Sequence, residues 1–305
     1  MPVTPLNRLG QAAIARKGWL GAHRFLLARR FSQLGILGLF MLPPVAGMHI
    51  LKGDLASSLL FETIPLSDPL VFAQLLAAGF LEVAATAAIG AALLAAFYLA
   101  VGGRVFCAWV CPLNMLTDAT HRLRRRLGIR GGARLSGGLR YWMLAMVLVL
   151  ALVTGSLAWE LVNPVTLAVR GLVFGLGFGW AIVLGIVVFD LLVVRHGWCG
   201  HLCPVGAFYG VLGEAALLRV SAHARAACDD CMDCYAVCPE PHVIAPALKG
   251  ARNGHGPLIL AGDCLNCGRC IDVCSENVFR FTHRFDQSLD DGRVPSRAPL
   301  QEQGG

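Results

Sequence analysis

Eight cysteines in the last third of the chain fall into two runs of identical spacing. Cys228, Cys231, Cys234 and Cys238 form the first, and after a spacer of 25 residues Cys264, Cys267, Cys270 and Cys274 form the second. Three thiols at two-residue gaps curl the backbone around one cubane of iron and sulfide, and the fourth, three residues further on, projects to a neighbouring cubane. The spacing therefore predicts two interleaved 4Fe–4S clusters. One is held by Cys228, Cys231, Cys234 and Cys274, the other by Cys264, Cys267, Cys270 and Cys238. Structural zinc favours separated CxxC pairs or mixed Cys/His sets, and disulfide frameworks belong to small secreted domains, so neither suits thiols packed this densely. Cys238 is followed by Pro239 and Cys274 by Ser275. The proline shapes backbone and supplies no ligand.

The remaining four cysteines form two copies of CxxxCP: Cys107, Cys111 and Pro112, preceded by Arg104, and Cys199, Cys203 and Pro204, preceded by Arg195 and His196. A four-residue gap puts both sulfurs on one helix face. Pro112 and Pro204 suit the first position of a following helix, which makes Cys111 and Cys203 N-cap-like. Beside Arg104, Arg195 or His196 such thiols are expected to have a lowered pKa and to be reactive or metal-ligating. Three chemistries stay open: reduced structural thiols or local disulfides, redox-active dithiols, or convergence of all four on one iron or a small iron–sulfur centre. His201, between Cys199 and Cys203, is expected to orient the turn. All twelve cysteines lie in motifs, which calls for a reducing compartment.

The elements that position these thiols are apolar. The 305 residues are 56% hydrophobic and 15% charged, and the mean hydropathy of +0.63 is that of an integral membrane protein. The expected fold is an all-α membrane domain of four spans in two pseudo-repeats, carrying a C-terminal α+β ferredoxin-like module. In order, residues 1–30 form a basic N-terminus, 31–220 the membrane domain, 221–283 the module and 284–305 a disordered tail. The spans are expected at 31–51, 81–101, 141–159 and 171–194, each pair ending in CxxxCP. Pro43 and Pro44 are expected to kink or interrupt the first.

Lysines and arginines number 6, 1, 8, 1 and 10 in the five segments outside the spans. This alternation predicts both termini, and the cluster module, on the cytoplasmic side. The net charge of +7 is then a topology signal, and nucleic-acid binding is the weaker account of it. Within 102–140, Arg122, Arg124, Arg125, Arg126, Arg130 and Arg134 are bunched, and leucines recur near helical spacing, so a helix on the membrane surface with arginines toward lipid phosphates is expected. Arg29-Arg30 before an apolar run is similar to a twin-arginine export signal, but Ser32 and Gln33 stand where such signals are apolar.

The whole arrangement resembles the NapH family, membrane ferredoxin-type subunits of periplasmic nitrate-reductase systems. The resemblance spans residues 17–283 and is carried by 58–62, 106–114, 192–206 and 231–242. It implies a quinol dehydrogenase component that passes electrons from membrane quinol, with a NapG-like periplasmic ferredoxin-type protein or a NapC-like tetrahaem cytochrome, to a periplasmic nitrate reductase. The implied location is the bacterial inner membrane.

A quinol slot needs a proton acceptor at membrane depth, which singles out His49, Glu82, Glu160 and Asp190, with Glu82 and Asp190 the better candidates. The rival function is an assembly or maturation factor whose clusters and thiols reduce or metallate a partner. No nucleophile-and-base set, nucleotide loop or substrate pocket marks a standalone enzyme.

Overall fold

The computed structural model describes residues 9–46, 51–61, 63–129, 131–133, 135–175, 177 and 179–286. Helix α1 runs Gln11–Ala46 and is broken at Gly18, whose φ of 73° is open to glycine without steric cost. It starts well before the expected span, so the basic N-terminus is largely helical. The helix is continuous through Pro43 and Pro44 and ends at Ala46, so the prolines do not interrupt it. His49 and the tail beyond residue 286 lie outside the described residues, as do Arg130 and Arg134.

An antiparallel meander follows: β1 Leu51–Gly53, β2 Ser57–Leu60 and β3 Ile64–Ser67. Next are α2, Pro69–Ala77, capped by Asp68, and α3, Leu81–Val101. A Cβ on Gly90 would sit 2.1 Å from the Pro65 carbonyl oxygen, so a glycine is required where α3 crosses β3.

Among the described residues two helical stretches, Gln11–Pro43 and Leu81–Val101, are long and apolar enough to cross a membrane. The other two expected spans are shorter than the sequence suggests. Helix α5 is Leu139–Thr154, because Gly155 turns left-handed (φ 59°), and the short α6, Ala158–Val162, follows. The expected 171–194 span is divided into α7, Pro164–Phe174, and α8, Gly179–Leu192, with Gly175 at φ 98° between them. Hydropathy registers apolarity and passes over backbone breaks that cost a glycine little.

Between the spans lie α4, Leu113–Arg126, and α9, Pro204–Glu214. The membrane core gathers around Tyr98, Phe106 and Tyr209, with the Phe106 and Tyr209 rings stacked at 4.9 Å, and Cys111 and Cys203 belong to the same core. The fold thus buries both CxxxCP motifs at the joint between its two halves.

The C-terminal module pairs β4, Leu218–Ser221, antiparallel with β5, Arg280–His283, and adds helices α10, Asp233–Val237, α11, Ile244–Lys249, and α12, Arg269–Val273. Its core includes Val220, Ile244, Ile259, Ile271 and Phe279. The module is clamped by α1: Gly10 N donates to Asp233 (2.9 Å), Lys17 Nζ to the Ile271 carbonyl (2.9 Å), and the Phe25 and Leu26 amides to Asp272 (3.2 and 3.0 Å).

Candidate iron–sulfur sites

The two CxxCxxCxxxC runs share a backbone path. In each, the second residue after the first cysteine and the residue after the second cysteine have positive φ: Asp230 and Met232 (59° and 63°) in one, Asn266 and Gly268 (45° and 70°) in the other. A left-handed turn at the same two offsets winds each loop inward and starts a short helix on the third cysteine, α10 or α12. Outside glycine this conformation carries a steric cost, so Asp230, Met232 and Asn266 hold it because the loop must close around something.

Cys228, Cys231, Cys234 and Cys274 border one cavity, together with Leu248 and Phe279. Cys238, Cys264, Cys267 and Cys270 lie within electrostatic reach of one another, deep enough that burial pushes the Cys264 thiol up to about 11. Each set thus draws its fourth thiol from the other run. All twelve cysteines are free thiols. Among the described residues no three Cys, His, Asp or Glu side chains are close enough to hold a single ion. Thiols that face one another from beyond a single ion's coordination sphere fit a cubane, whose four irons stand between them.

The CxxxC turns depart from the expected α-helical face. Phe106–Val110 and Trp198–Leu202 are single π-helical turns, closed by Cys111 N to the Phe106 carbonyl and Cys203 N to the Trp198 carbonyl, both 2.9 Å. Such wide turns recur at functional sites. Cys203 is the N-cap of α9, accepting from Gly206 N at 3.4 Å, with Pro204 in the first turn. In the first copy Pro112 itself occupies the cap position of α4.

The four sulfurs converge, since Cys199 feels Cys203, Cys111 and Cys107, and Cys111 feels Cys107 and Cys203. Burial pushes the Cys203 thiol up to about 12 and raises Cys107, Cys111 and Cys199 as well, which corrects the expected lowering. Helix termini and nearby cations do not outweigh desolvation when four thiols share one dry pocket. The single-iron and local-disulfide readings find no geometry here: no three ligands are close enough for one ion among the described residues, and all four thiols are free.

The CxxxC pocket and the second cluster site are in contact. Cys107, Ala108 and Trp109 pack with Leu265 and Cys267, and Trp109 Nε1 donates to the Asn266 carbonyl at 3.1 Å. Arg104, 1% exposed, joins the two: it donates to Glu240 (2.8 Å), to the Asp263 carbonyl (3.1 Å) and to the Cys199 carbonyl (3.0 Å). Arg140 donates to Glu240 (2.9 Å) and the Gly200 carbonyl (3.2 Å) and is paired with Asp263. Against the effect of burial, His242, Arg140 and Arg104 hold the Asp263 carboxyl well below the usual carboxylate range. Asp263 precedes Cys264 and Glu240 lies two residues after Cys238. This network escaped sequence reading because its central pairs, Arg104–Glu240 and Arg140–Glu240, lie 136 and 100 residues apart.

The candidate proton acceptors are scattered. Glu82 is exposed in the first turn of α3. Asp190, 3% exposed near the end of α8, accepts from Trp198 N at 2.9 Å and so caps the second π-turn. Each CxxxC turn follows the C-terminal end of its helix, so Glu82 and Asp190 sit at opposite ends of the bundle and do not form one site. Glu160 accepts from Asn163 and Thr166 (3.2 and 3.3 Å). In the arginine bunch, Arg124 faces inward and donates to the carbonyls of Asp190 (3.1 Å) and Leu191 (2.8 Å), closing the last turn of α8 instead of meeting lipid phosphates. Arg29 is likewise buried.

Comparison with known proteins adds two kinds of match. Residues 83–130 and 176–220 match a 4Fe-4S binding domain, one segment around each CxxxCP motif, and residues 227–285 match a 4Fe-4S dicluster domain. The chain is 52% identical to the ferredoxin-type protein NapH of Haemophilus influenzae over 280 residues, 92% of this chain and 96% of that protein. It is 48% identical to the protein of that name in Escherichia coli, over 90% of this chain and 95% of the relative. Identity is 51% to the methylamine utilization ferredoxin-type protein MauN of Paracoccus denitrificans, again over 90% and 95%. No solved structure matches the chain.

Proposed function

The chain belongs to the family of NapH and MauN ferredoxin-type proteins, and from that premise we propose that it is the electron-carrying membrane subunit of a quinol-oxidising system. It contains 4Fe–4S domains and carries electrons. The finer reading is that electrons leave membrane quinol, pass through its clusters and continue, with a NapG-like ferredoxin-type partner or a NapC-like cytochrome, to a periplasmic nitrate reductase. The chain lies in the inner membrane with both termini and the module on the cytoplasmic side, as the distribution of its arginines and lysines supports.

Two clusters occupy the module, on Cys228, Cys231, Cys234 and Cys274 and on Cys264, Cys267, Cys270 and Cys238. A third occupies Cys107, Cys111, Cys199 and Cys203. Each of the two segments matching a 4Fe-4S binding domain supplies two of these thiols, and together they make the four that a cubane takes. Each bound cluster supplies one-electron chemistry. The chain's own residues do the rest: the positive-φ loops aim the thiols, the core around Phe106 and Tyr209 keeps water out, and Arg104 pins the membrane-edge turns to the second cluster loop.

The observation that carries the proposal is the packing of Cys107 and Trp109 into one small cluster with Leu265 and Cys267, which supports a short electron path between the membrane-edge thiols and the second cluster loop. The test is EPR of membranes containing this chain without its partners, after addition of a quinol analogue. Reduced-cluster signals are expected. Clusters that respond to dithionite and stay silent with quinol would favour the assembly-factor reading instead.

A further inference from the structure

A buried arginine without acceptors is costly, because desolvation of the guanidinium is uncompensated. Arg29 is fully buried in α1, and its Nε and both terminal nitrogens have no hydrogen-bond partner among the described residues. The nearest carboxylate, Asp118 of α4, is 3.8 Å away and already taken. Arg30 reaches it at 2.6 Å and Arg269 grips both its oxygens at 2.7 Å. Three arginines around one carboxylate leave an excess of two positive charges. The Arg29 nitrogens are closed to water, and the partly open cavity that Arg29 borders is lined by further cations, Arg122, Arg125 and Arg269, so the side chains on that face, positive on balance, do not offset them.

An internal anion does. Arg29 lies within electrostatic reach of Cys267, and Arg269 of both Cys267 and Cys238. A 4Fe–4S core with four thiolates is doubly negative when oxidised and triply negative when reduced. The site of the other four cysteines has the opposite setting. Asp229, Asp230 and Asp233 stand in its loop, Cys231 is exposed, Lys249, 4.0 Å from Cys228, is engaged by Asp230, and Lys17, within electrostatic reach of Cys274, is engaged by the Ile271 carbonyl.

Resting on the cluster assignment proposed above, we infer that Arg29 is a fixed counter-charge for the cluster on Cys238, Cys264, Cys267 and Cys270, holding its potential above that of the cluster on Cys228, Cys231, Cys234 and Cys274. The first electron to enter the module then settles on the cluster that touches the membrane domain. Arg29 touches no substrate. It is a positioning residue that acts through charge.

The test is an EPR-monitored redox titration of the purified full-length protein with dithionite, the two signals of the module being assigned with Cys231→Ser and Cys267→Ser and set apart from any signal lost in Cys111→Ser. In the wild type the signal altered by Cys267→Ser is expected to appear first. With Arg29→Gln, the reduced-to-oxidised ratio of that cluster at a fixed ambient potential is expected to fall about tenfold, which is ~59 mV for one electron. The other cluster's curve stays in place, and Arg29→Lys restores most of the shift. Unchanged curves in a fully iron-loaded Arg29→Gln protein, or the Cys231-side cluster reducing first in the wild type, would overturn the inference. If Arg29→Gln does not accumulate, Arg29→Lys decides: a ratio near wild type supports the charge, and a tenfold fall refutes it. Iron analysis showing no clusters in the module would refute the cluster assignment, a separate failure.

Discussion

The two CxxxCP turns are copies in backbone and opposites in electrostatics. Both are π-turns closed by a 2.9 Å bond to the second cysteine, and both follow an apolar helix. Three residues ahead of the first cysteine, however, one has Arg104 and the other His196. Arg104 is ionised and bonded to Glu240 of the cluster module. His196, equally buried, lies 4.4 Å from the His121 ring. Burial, then the nearby Arg269, pushes His196 down to about 3, and burial and His196 push His121 down to about 2, so both rings stay neutral. A duplicated turn can keep its shape while its flanks diverge, because a backbone bond fixes the turn and the flank only has to satisfy its neighbours.

That contrast can be broken by mutation. The largest effect belongs to Arg104→Leu, which strips one partner from a buried ion pair and the donor from the Cys199 carbonyl. A loss of ~3–5 kcal/mol in chemical unfolding is expected, against ~1–2 kcal/mol for His196→Phe, which keeps the ring's bulk. Equal losses would mean the two flanks are equivalent after all.

Next in size is the shared pocket. If its four thiols hold one centre, Cys111→Ser and Cys203→Ser should each remove the same increment of iron, and the double variant should remove no more. Additive losses would separate the turns into independent sites.

A smaller effect concerns pH. The folded-state values of His121 and His196 lie below the ordinary 6.5, so the unfolded chain binds protons that the folded chain does not. Their stabilisation is whole above about pH 6.5 and is lost as pH falls toward 3, at about 1.4 kcal/mol per pH unit for each ring. Melting temperature between pH 7 and 5 should fall less steeply in His196→Phe, while on the Arg104 side His242, raised by its bond to Asp263, adds slope of the opposite sign. Smallest is Thr117→Val, which removes a 3.8 Å hydroxyl contact with Cys199 and should change stability by less than ~0.5 kcal/mol.

The sequence made the thiol sites legible because ligand spacing is a local constraint: the gaps in 228–238 and 264–274 dictate which sulfurs can meet. The repeat was legible for the same reason. Helix ends were less so, since Gly155 and Gly175 interrupt runs that hydropathy reads as continuous. The arginine bunch misled because charge on a surface and charge at a helix end look alike in sequence, and Arg124 is of the second kind. The thiol chemistry of the CxxxC motifs was misjudged because burial, which decides it, is a property of the packed fold.

The clamp between α1 and the module has a consequence for biogenesis. Lys17 meets Ile271 across 254 residues, and Gly10 meets Asp233 across 223. Helix α1 is therefore completed by a domain made more than 200 residues after it. Until then its amides at Phe25 and Leu26 lack Asp272, and Arg29 lacks the Cys267 loop. Closure of so long a loop is slow, so α1 and the module lock together late, after the helices between them have been made.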